Sequence, residues 1–344
     1  MTNVFVSLSG QDDNLGDSAL RAGLLRALQI PQSTVHAVIE GQTSDYVAGL
    51  ALRPADRLYG DRRTWFETAA RSTRPVYVLN AGEINPQPHR RFPRPEHVAE
   101  IRTVLRRDGV LIAGGLGVRD PDVSRHAIFQ TELQRADVMA WRDDGSREAA
   151  GFGEVAPDWA FALGPATSDW LDPTSRPWIA VTLRFDRPWP GEAWFEEVRA
   201  FARRVGRSIV TTAQVARDAP RAVALADALG GDYLVAPSTS HDALDRHIRS
   251  VLARSLAVVS DRAHALIIGA TEGAWPVGSA AQPQKIARIM GAARLESFTG
   301  DHDGLSQRLA ALQAGGAGLA NAIDAARFSV ENLELRVRET IAGR

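Results

Sequence analysis

Over almost its whole length the chain alternates apolar runs that end in glycine or a charged residue with segments of helical period. The clearest runs are RPVYVLNAG (74–82) and GVLIAGGLG (109–117). Runs this continuous suit parallel strands buried on both faces, because a strand with one wet face would alternate apolar and polar residues. Parallel neighbours need a crossover, usually a helix, between them. The alternation therefore confines the chain to an α/β architecture.

The pattern occurs twice. In the first half, NVFVSL (3–8), TVHAVI (34–39), the two runs above and RADVMAWRD (135–143) read as strands, and a helix is expected from about Asp17 to Leu28. LGPATSDWLDPTSRP (163–177) breaks the rhythm and reads as a linker. The second half restarts with WIAVTLR (178–184), SIVTTAQ (208–214), YLVAP (233–237) and LAVVSD (256–261), separated by amphipathic helices. We expect a doubly wound domain over 1–172, a second over 173–325, and a helix over 326–344 that packs back on the first. A glycine-rich interruption precedes that helix. Ligands of such sheets sit beyond the C-terminal strand ends, so the cleft between the domains is the expected site.

Composition narrows the function. The formal net charge is −1 over 344 residues, and no basic block or basic aromatic stripe occurs, so nucleic acid is not an expected partner. Cysteine is absent, which removes disulfides, thiolate catalysis and zinc–thiolate sites. The N-terminus lacks the charged and apolar regions of a secretory signal, and no run approaches a membrane span, so a cytoplasmic protein is expected. No carboxylate–histidine spacing suits a metal, and no cofactor is expected.

Candidate site residues cluster at strand ends. VVSDRAHALIIGATEGAWPV (258–277) places Asp261, Arg262 and His264 where a strand passes into a helix. Arginine offers a planar fork to carboxylate or phosphate, and histidine exchanges a proton near neutral pH. The bland alternative is a cap at Asp261, a surface ion pair at Arg262 and a buried, satisfied His264. Asn14 and Asp17 of DDNLGDSAL could hold a hydroxyl-rich ligand or simply form a turn and cap. Gly115 in AGGLG lets a backbone approach a ligand or lets a helix pack tightly. Arg142, Asp143 and Asp158 are surface ion-pair elements or site residues. Arg184 ends the first strand of the second half. Lys285, the only lysine, reaches an anion or solvates a helix face. An esterase reading, with Ser18 as nucleophile, His264 as base and Asp261 as its orienting partner, is disfavoured: the chain is longer than one such domain, no G-x-N-D block supplies an oxyanion-hole asparagine, and Ser18 lies several residues beyond the first strand.

Taken in order, these motifs resemble the polysaccharide pyruvyl transferase family. They are Asn14-Leu-Gly-Asp17, the Gly114–Gly117 cluster, Arg142-Asp-Asp-Gly-Ser146, Asp158-Trp-Ala-Phe-Ala-Leu163, Arg184, Ser260-Asp-Arg262-Ala-His264-Ala265, a Gly273–Val277 turn and Lys285-Ile286. Ala263 stands where the family usually has leucine. The resemblance implies a GT-B-like fold of two Rossmann-like domains. It implies transfer of pyruvate from phosphoenolpyruvate onto two sugar hydroxyls as a cyclic ketal, in cell-surface polysaccharide or glycolipid synthesis. Arg184, Arg262, His264 and Lys285 would face the donor, with Arg184, Arg262 and His264 catalytic. Asn14, Asp17, Gly115 and Arg142 would face the sugar acceptor. A lipid-linked acceptor, peripheral contact with the membrane and a homo-oligomer stay open. The alternative is a GT-B glycosyltransferase with a nucleotide-sugar donor. An acidic ribose ligand followed by a diphosphate-binding glycine loop in the second half would favour it, and Glu272-Gly273 is a faint match. A non-catalytic binding protein on the same fold is the third class.

Overall fold

The computed structural model describes residues 2–314 and 318–343. The first half builds an all-parallel sheet from β1 (Thr2–Ser7), β2 (Ser33–Val38), β3 (Arg57–Tyr59), β4 (Val76–Val78), β5 (Gly82–Ile84), β7 (Val110–Val118), β9 (Val138–Trp141) and β10 (Glu154–Val155). Their order is β10-β9-β7-β4-β1-β2-β3, with β5 extending the pairing of β7. β6 (Arg91–Phe92) and β8 (Ile128–Phe129) form a separate two-stranded ribbon. All nine residues of β7 are buried, as a strand covered on both faces requires.

The second sheet is also parallel. It comprises β11 (Trp178–Thr182), β12 (Ser208–Thr211), β13 (Asp232–Tyr233), β14 (Ser255–Ser260), β15 (Trp275–Ser279) and β16 (Thr299–Gly300), in the order β13-β12-β11-β14-β15-β16. In each sheet the chain winds outward on one side of its first strand and then returns to the other. The order therefore reverses between β1 and β4, and between β11 and β14. Such switch points open a crevice at the C-terminal strand ends.

The Gly273–Val277 segment is expected as a turn, but WPVGS forms β15, with every residue buried. Burial of Trp275 and Val277 between layers outweighs the turn signal of Gly273 and Pro276. The C-terminal helix runs from Gly318 to Ala342 rather than from 326. Its buried stripe of Leu319, Ile323, Ala326, Val330, Leu333, Val337 and Ile341 recurs at three- and four-residue steps. It packs on the Leu15–Leu28 helix and on the first sheet, and Arg338 donates to the Arg26 carbonyl (3.1 Å). The expected glycine-rich interruption centres on 315–317, outside the described residues. Among the described residues no helix is long and apolar enough to cross a membrane.

The domains are stitched directly. Asn14 and Val215 form an antiparallel bridge. The Leu15 N–H donates to the Gln214 carbonyl, and the Ala216 N–H to the Asp13 carbonyl, both at 3.1 Å.

Candidate active site

A cavity of about 1540 Å³ lies between the domains, lined by the segments that leave both switch points. The first domain contributes residues after β1 and β4, including Asn14, Asp17 and Asn80. The second contributes residues after β11 and β14, including Arg184, Arg262 and His264. Nine arginines and lysines line it against seven carboxylates, so the site is built from charges of both signs.

Asn14 caps the Leu15–Leu28 helix, its Oδ1 accepting from the Gly16 N–H (3.1 Å). Asp17 accepts from the Gln11 N–H (2.7 Å) and so closes the loop between β1 and the helix. Arg21, 5% exposed, donates to the Asp17 carbonyl (2.6 Å) and to Asn80 Oδ1 (3.0 Å). Gly16 serves a different need: a Cβ there would lie 2.4 Å from His264 Nδ1. The small residue of Asn-Leu-Gly-Asp thus admits a histidine from the opposite domain.

His264 meets the first domain a second time. Its Nε2 stands 3.5 Å from Asp158 Oδ2, and Arg142 Nη1 stands at the same distance from the same oxygen. At 3.5 Å these are ionic contacts rather than well-formed hydrogen bonds. Asp158 is fully buried and accepts from the Ala160 N–H (3.0 Å). Burial alone would raise its pKa. His264 first, then Arg142 and the Ala160 amide, reverse this and bring it down to about 2. Asp158 and Arg142 are therefore core elements of the cleft and not a surface ion pair. The fixed carboxylate sets the imidazole's orientation.

The two motifs around them hold this geometry. Asp143 caps the next helix through the Ser146 N–H (2.8 Å), and Ser146 Oγ accepts from the Val118 N–H (2.8 Å). The glycine cluster makes room for side chains, not for a ligand. A Cβ on Gly115 would lie 2.5 Å from Trp159 Cδ1, and one on Gly117 would lie 2.1 Å from Arg142 Nε. Gly115, named from sequence as acceptor-binding, packs on Trp159 and is not among the cavity-lining residues.

On the second domain, Asp261 does not cap the Ala263–Thr271 helix. Arg262 occupies the cap position and its side chain makes no capping bond. The first-turn amides therefore have no side-chain cap, and Ala263 and His264 of that turn line the cavity, where the partial positive charge of a helix start favours anions. Arg262 donates through Nε to Asp218 Oδ2, which leaves its two terminal nitrogens free of that bond. Arg184 grips Asp186 with Nε and Nη2 (2.8 and 2.7 Å). Asp261 accepts from the Arg184 N–H (2.8 Å). Burial, with Asp218 nearby, pushes the Asp261 carboxyl up to about 6 despite that bond and the two arginines.

Lys285 pairs with Glu83 of the first domain, and Arg119 donates to the same carboxylate (2.6 Å). The lysine thus ties the two rims of the cleft together. Burial lowers its pKa, and Glu83 opposes the change.

Two minor sequence readings find no support here. Ser18 is fully buried, with its Oγ 2.7 Å from His241 Nδ1. Its histidine is not His264, so no esterase triad forms. Glu272 lies at the far end of the Ala263–Thr271 helix, paired with Arg249 at 2.8 Å, and does not reach the cavity. Sequence reasoning also missed Asp218, which is fully buried and positions Arg262 and the Phe185 N–H (3.0 Å). Only its place in VARDAP, after a strand, could have flagged it. Among the described residues no three His, Cys, Asp or Glu side chains gather closely enough to hold a metal ion.

No protein-family model matches the chain, and no curated protein does. Solved structures do resemble it. Anabaena Alr3699/HepE in complex with UDP is 11% identical, with a TM-score of 0.58 over 100% of both chains. UDP-GlcNAc 2-epimerase from Neisseria meningitidis bound to UDP-GlcNAc is 8% identical, with a TM-score of 0.56 over 100% of both. The S. aureus MnaA–UDP structure is 12% identical, with a TM-score of 0.56 over 99% of this chain and 97% of that one. The chain has the GT-B fold. At these identities the likeness speaks for the fold and leaves the reaction to the site.

Proposed function

We propose that this protein is a sugar-modifying transferase of the GT-B type, and that its donor is phosphoenolpyruvate. One observation carries the reading. Arg184, Arg262 and the uncapped helix that bears His264 meet at the switch point of the second sheet, opposite the Asn14–Asp17 loop. Phosphoenolpyruvate presents a carboxylate and a phosphate close together, and the guanidinium nitrogens that Arg184 and Arg262 keep free of Asp186 and Asp218, beside the uncapped first turn of that helix, suit such a double anion. The first sugar hydroxyl adds to C2 and loses its proton while C3 takes one. The C–O bond to phosphate then breaks, and the oxocarbenium carbon is captured by the second hydroxyl, which loses its proton. The chemistry needs one proton donor, for C3, and acceptors for two hydroxyl protons, one of which leaves with the phosphate. His264, oriented by Asp158, and Asp261, which titrates near 6, supply two proton-exchanging groups on the donor side.

A second reading, transfer from a nucleotide-sugar, is favoured by the solved structures of this fold that carry UDP. Against it, the first turn of the Ala263–Thr271 helix has no acidic residue, and Glu272 is engaged by Arg249. The deciding experiment incubates the protein with a panel of pyranosides. One arm contains phosphoenolpyruvate and follows phosphate release and the ketal methyl signal by NMR. The other contains UDP-sugars and follows UDP release. Turnover with a UDP-sugar and none with phosphoenolpyruvate overturns the proposal.

A further inference from the structure

One surface of the first domain combines unpaired charge with exposed aliphatic side chains. Residues 85–94 follow β5 and residues 119–130 follow β7, so both segments project from the C-terminal edge of the sheet, at the mouth of the cleft. They are zipped together by the β6–β8 ribbon, in which Arg91 pairs with Ile128. The Ile128 N–H donates to the Arg90 carbonyl (2.9 Å) and the His89 N–H to the His126 carbonyl (2.8 Å).

The two segments hold five arginines against two aspartates, in a chain whose net charge is −1. Arg119 and Arg125 are paired, with Glu83 and Asp122. Arg90, Arg91 and Arg94 are exposed and have no ion pair among the described residues. Beside them Ile128 is 50% exposed and Val123 is 37% exposed. Val123 and Arg125 also line the cavity, so the patch adjoins the cleft mouth.

We propose that this ribbon docks on an anionic lipid surface and holds the cleft mouth against it. Guanidinium groups without protein partners are drawn to a negatively charged leaflet. Ile128 and Val123 between them can enter the headgroup boundary, as the apolar residues of interfacial segments do. A polynucleotide or an acidic polysaccharide would engage the arginines but leave the isoleucine and valine in water. The amphipathic mix therefore selects the bilayer. The inference is independent of which donor the enzyme uses.

The test is co-sedimentation of the whole protein with vesicles of phosphatidylcholine alone and of phosphatidylcholine with phosphatidylglycerol. Binding is expected only to the anionic vesicles and is expected to weaken as NaCl rises from 0.1 to 0.5 M, because surface charges are then screened. Two arginines contribute roughly 5-fold each to such partitioning, so the Arg90→Glu/Arg91→Glu double variant should bind at least ~25-fold more weakly. Ile128→Ser should lose binding without any change of charge. All these positions are exposed, and circular dichroism would check that the variants fold. Absence of binding to anionic vesicles, equal binding to neutral ones, or unchanged binding by the double variant overturns the proposal. So does retention of Ile128→Ser binding together with equally tight binding to heparin beads, which would make the patch a general polyanion site.

Discussion

Asp158 and Asp261 are both largely buried aspartates at the same cleft, yet they differ by about four pH units in where they titrate. Asp158 is brought down to about 2 and Asp261 pushed up to about 6. Burial acts in the same upward direction on both. The difference lies in what each carboxylate faces. Asp158 has His264 and Arg142 on one oxygen and a backbone amide on the other. Asp261 accepts one backbone bond, and the arginines beside it are already committed to Asp186 and Asp218. Depth alone therefore does not set charge; the number of uncommitted donors does. The consequence is a division of roles. Asp158 is a permanent anion that positions His264, and Asp261 is a group able to carry a proton near neutral pH.

The sharpest way to break this comparison is to remove Asp158. Asp158→Ala leaves Arg142 buried without its carboxylate, and a loss of about 3–5 kcal/mol in urea unfolding is expected. In the wild type the contribution from ionised Asp158 is present above pH 4 and fades as pH falls toward 2, because its folded pKa lies below the unfolded one. Unchanged stability in the variant would show that the three groups do not act as a unit.

Asp261→Asn tests the other side with opposite sign. A raised folded pKa means that stability is fully present below about pH 4 and is lost as pH climbs through about 6. The asparagine variant keeps an acceptor for the Arg184 N–H and should not show that loss, gaining on the order of 2 kcal/mol over the wild type at pH 8. Parallel pH–stability curves for the two proteins would remove Asp261 as a titrating group.

Gly16→Ala probes how the domains share His264. The new methyl meets the imidazole, and overpacking of this kind costs about 1–3 kcal/mol. Turnover in the assay above should fall further than stability does, since the ring itself is displaced. An alanine variant with wild-type kinetics would separate His264 from the chemistry. The smallest effect belongs to Arg217→Ala, which removes an exposed pair with Asp13 at 2.7 Å across the domain junction. It should cost about 0.2–1 kcal/mol, visible as a small shift in the thermal midpoint that salt diminishes.

Much of this was legible beforehand, for local reasons. Continuous apolar runs reported strands buried on both faces, and the break at 163–177 reported two sheets, because periodicity is written in neighbouring residues. Asn14, Asp17, Arg142, Arg184, Arg262 and His264 could be named as candidates from their places at strand ends, and Lys285 as the only lysine, and all of them line the cavity. Asp218 carried no such signal, and WPVGS carried a misleading one.

What the sequence determined by itself is the α/β alternation, the two-part division and the types of charge available at strand ends. Which charges face which was decided only by tertiary structure. Gly115 and Gly117 leave ligand approach and tight packing equally open until Trp159 and Arg142 are seen filling the space above them. Asp261 read as a cap until Arg262 is found in that position. Asp158 and His264 are more than a hundred residues apart and become partners only when the domains close on each other. The physical reason is range. Propensity and capping act within a turn or two of the chain, whereas electrostatic pairing and steric fit depend on distances in space, which the packing of the two sheets creates.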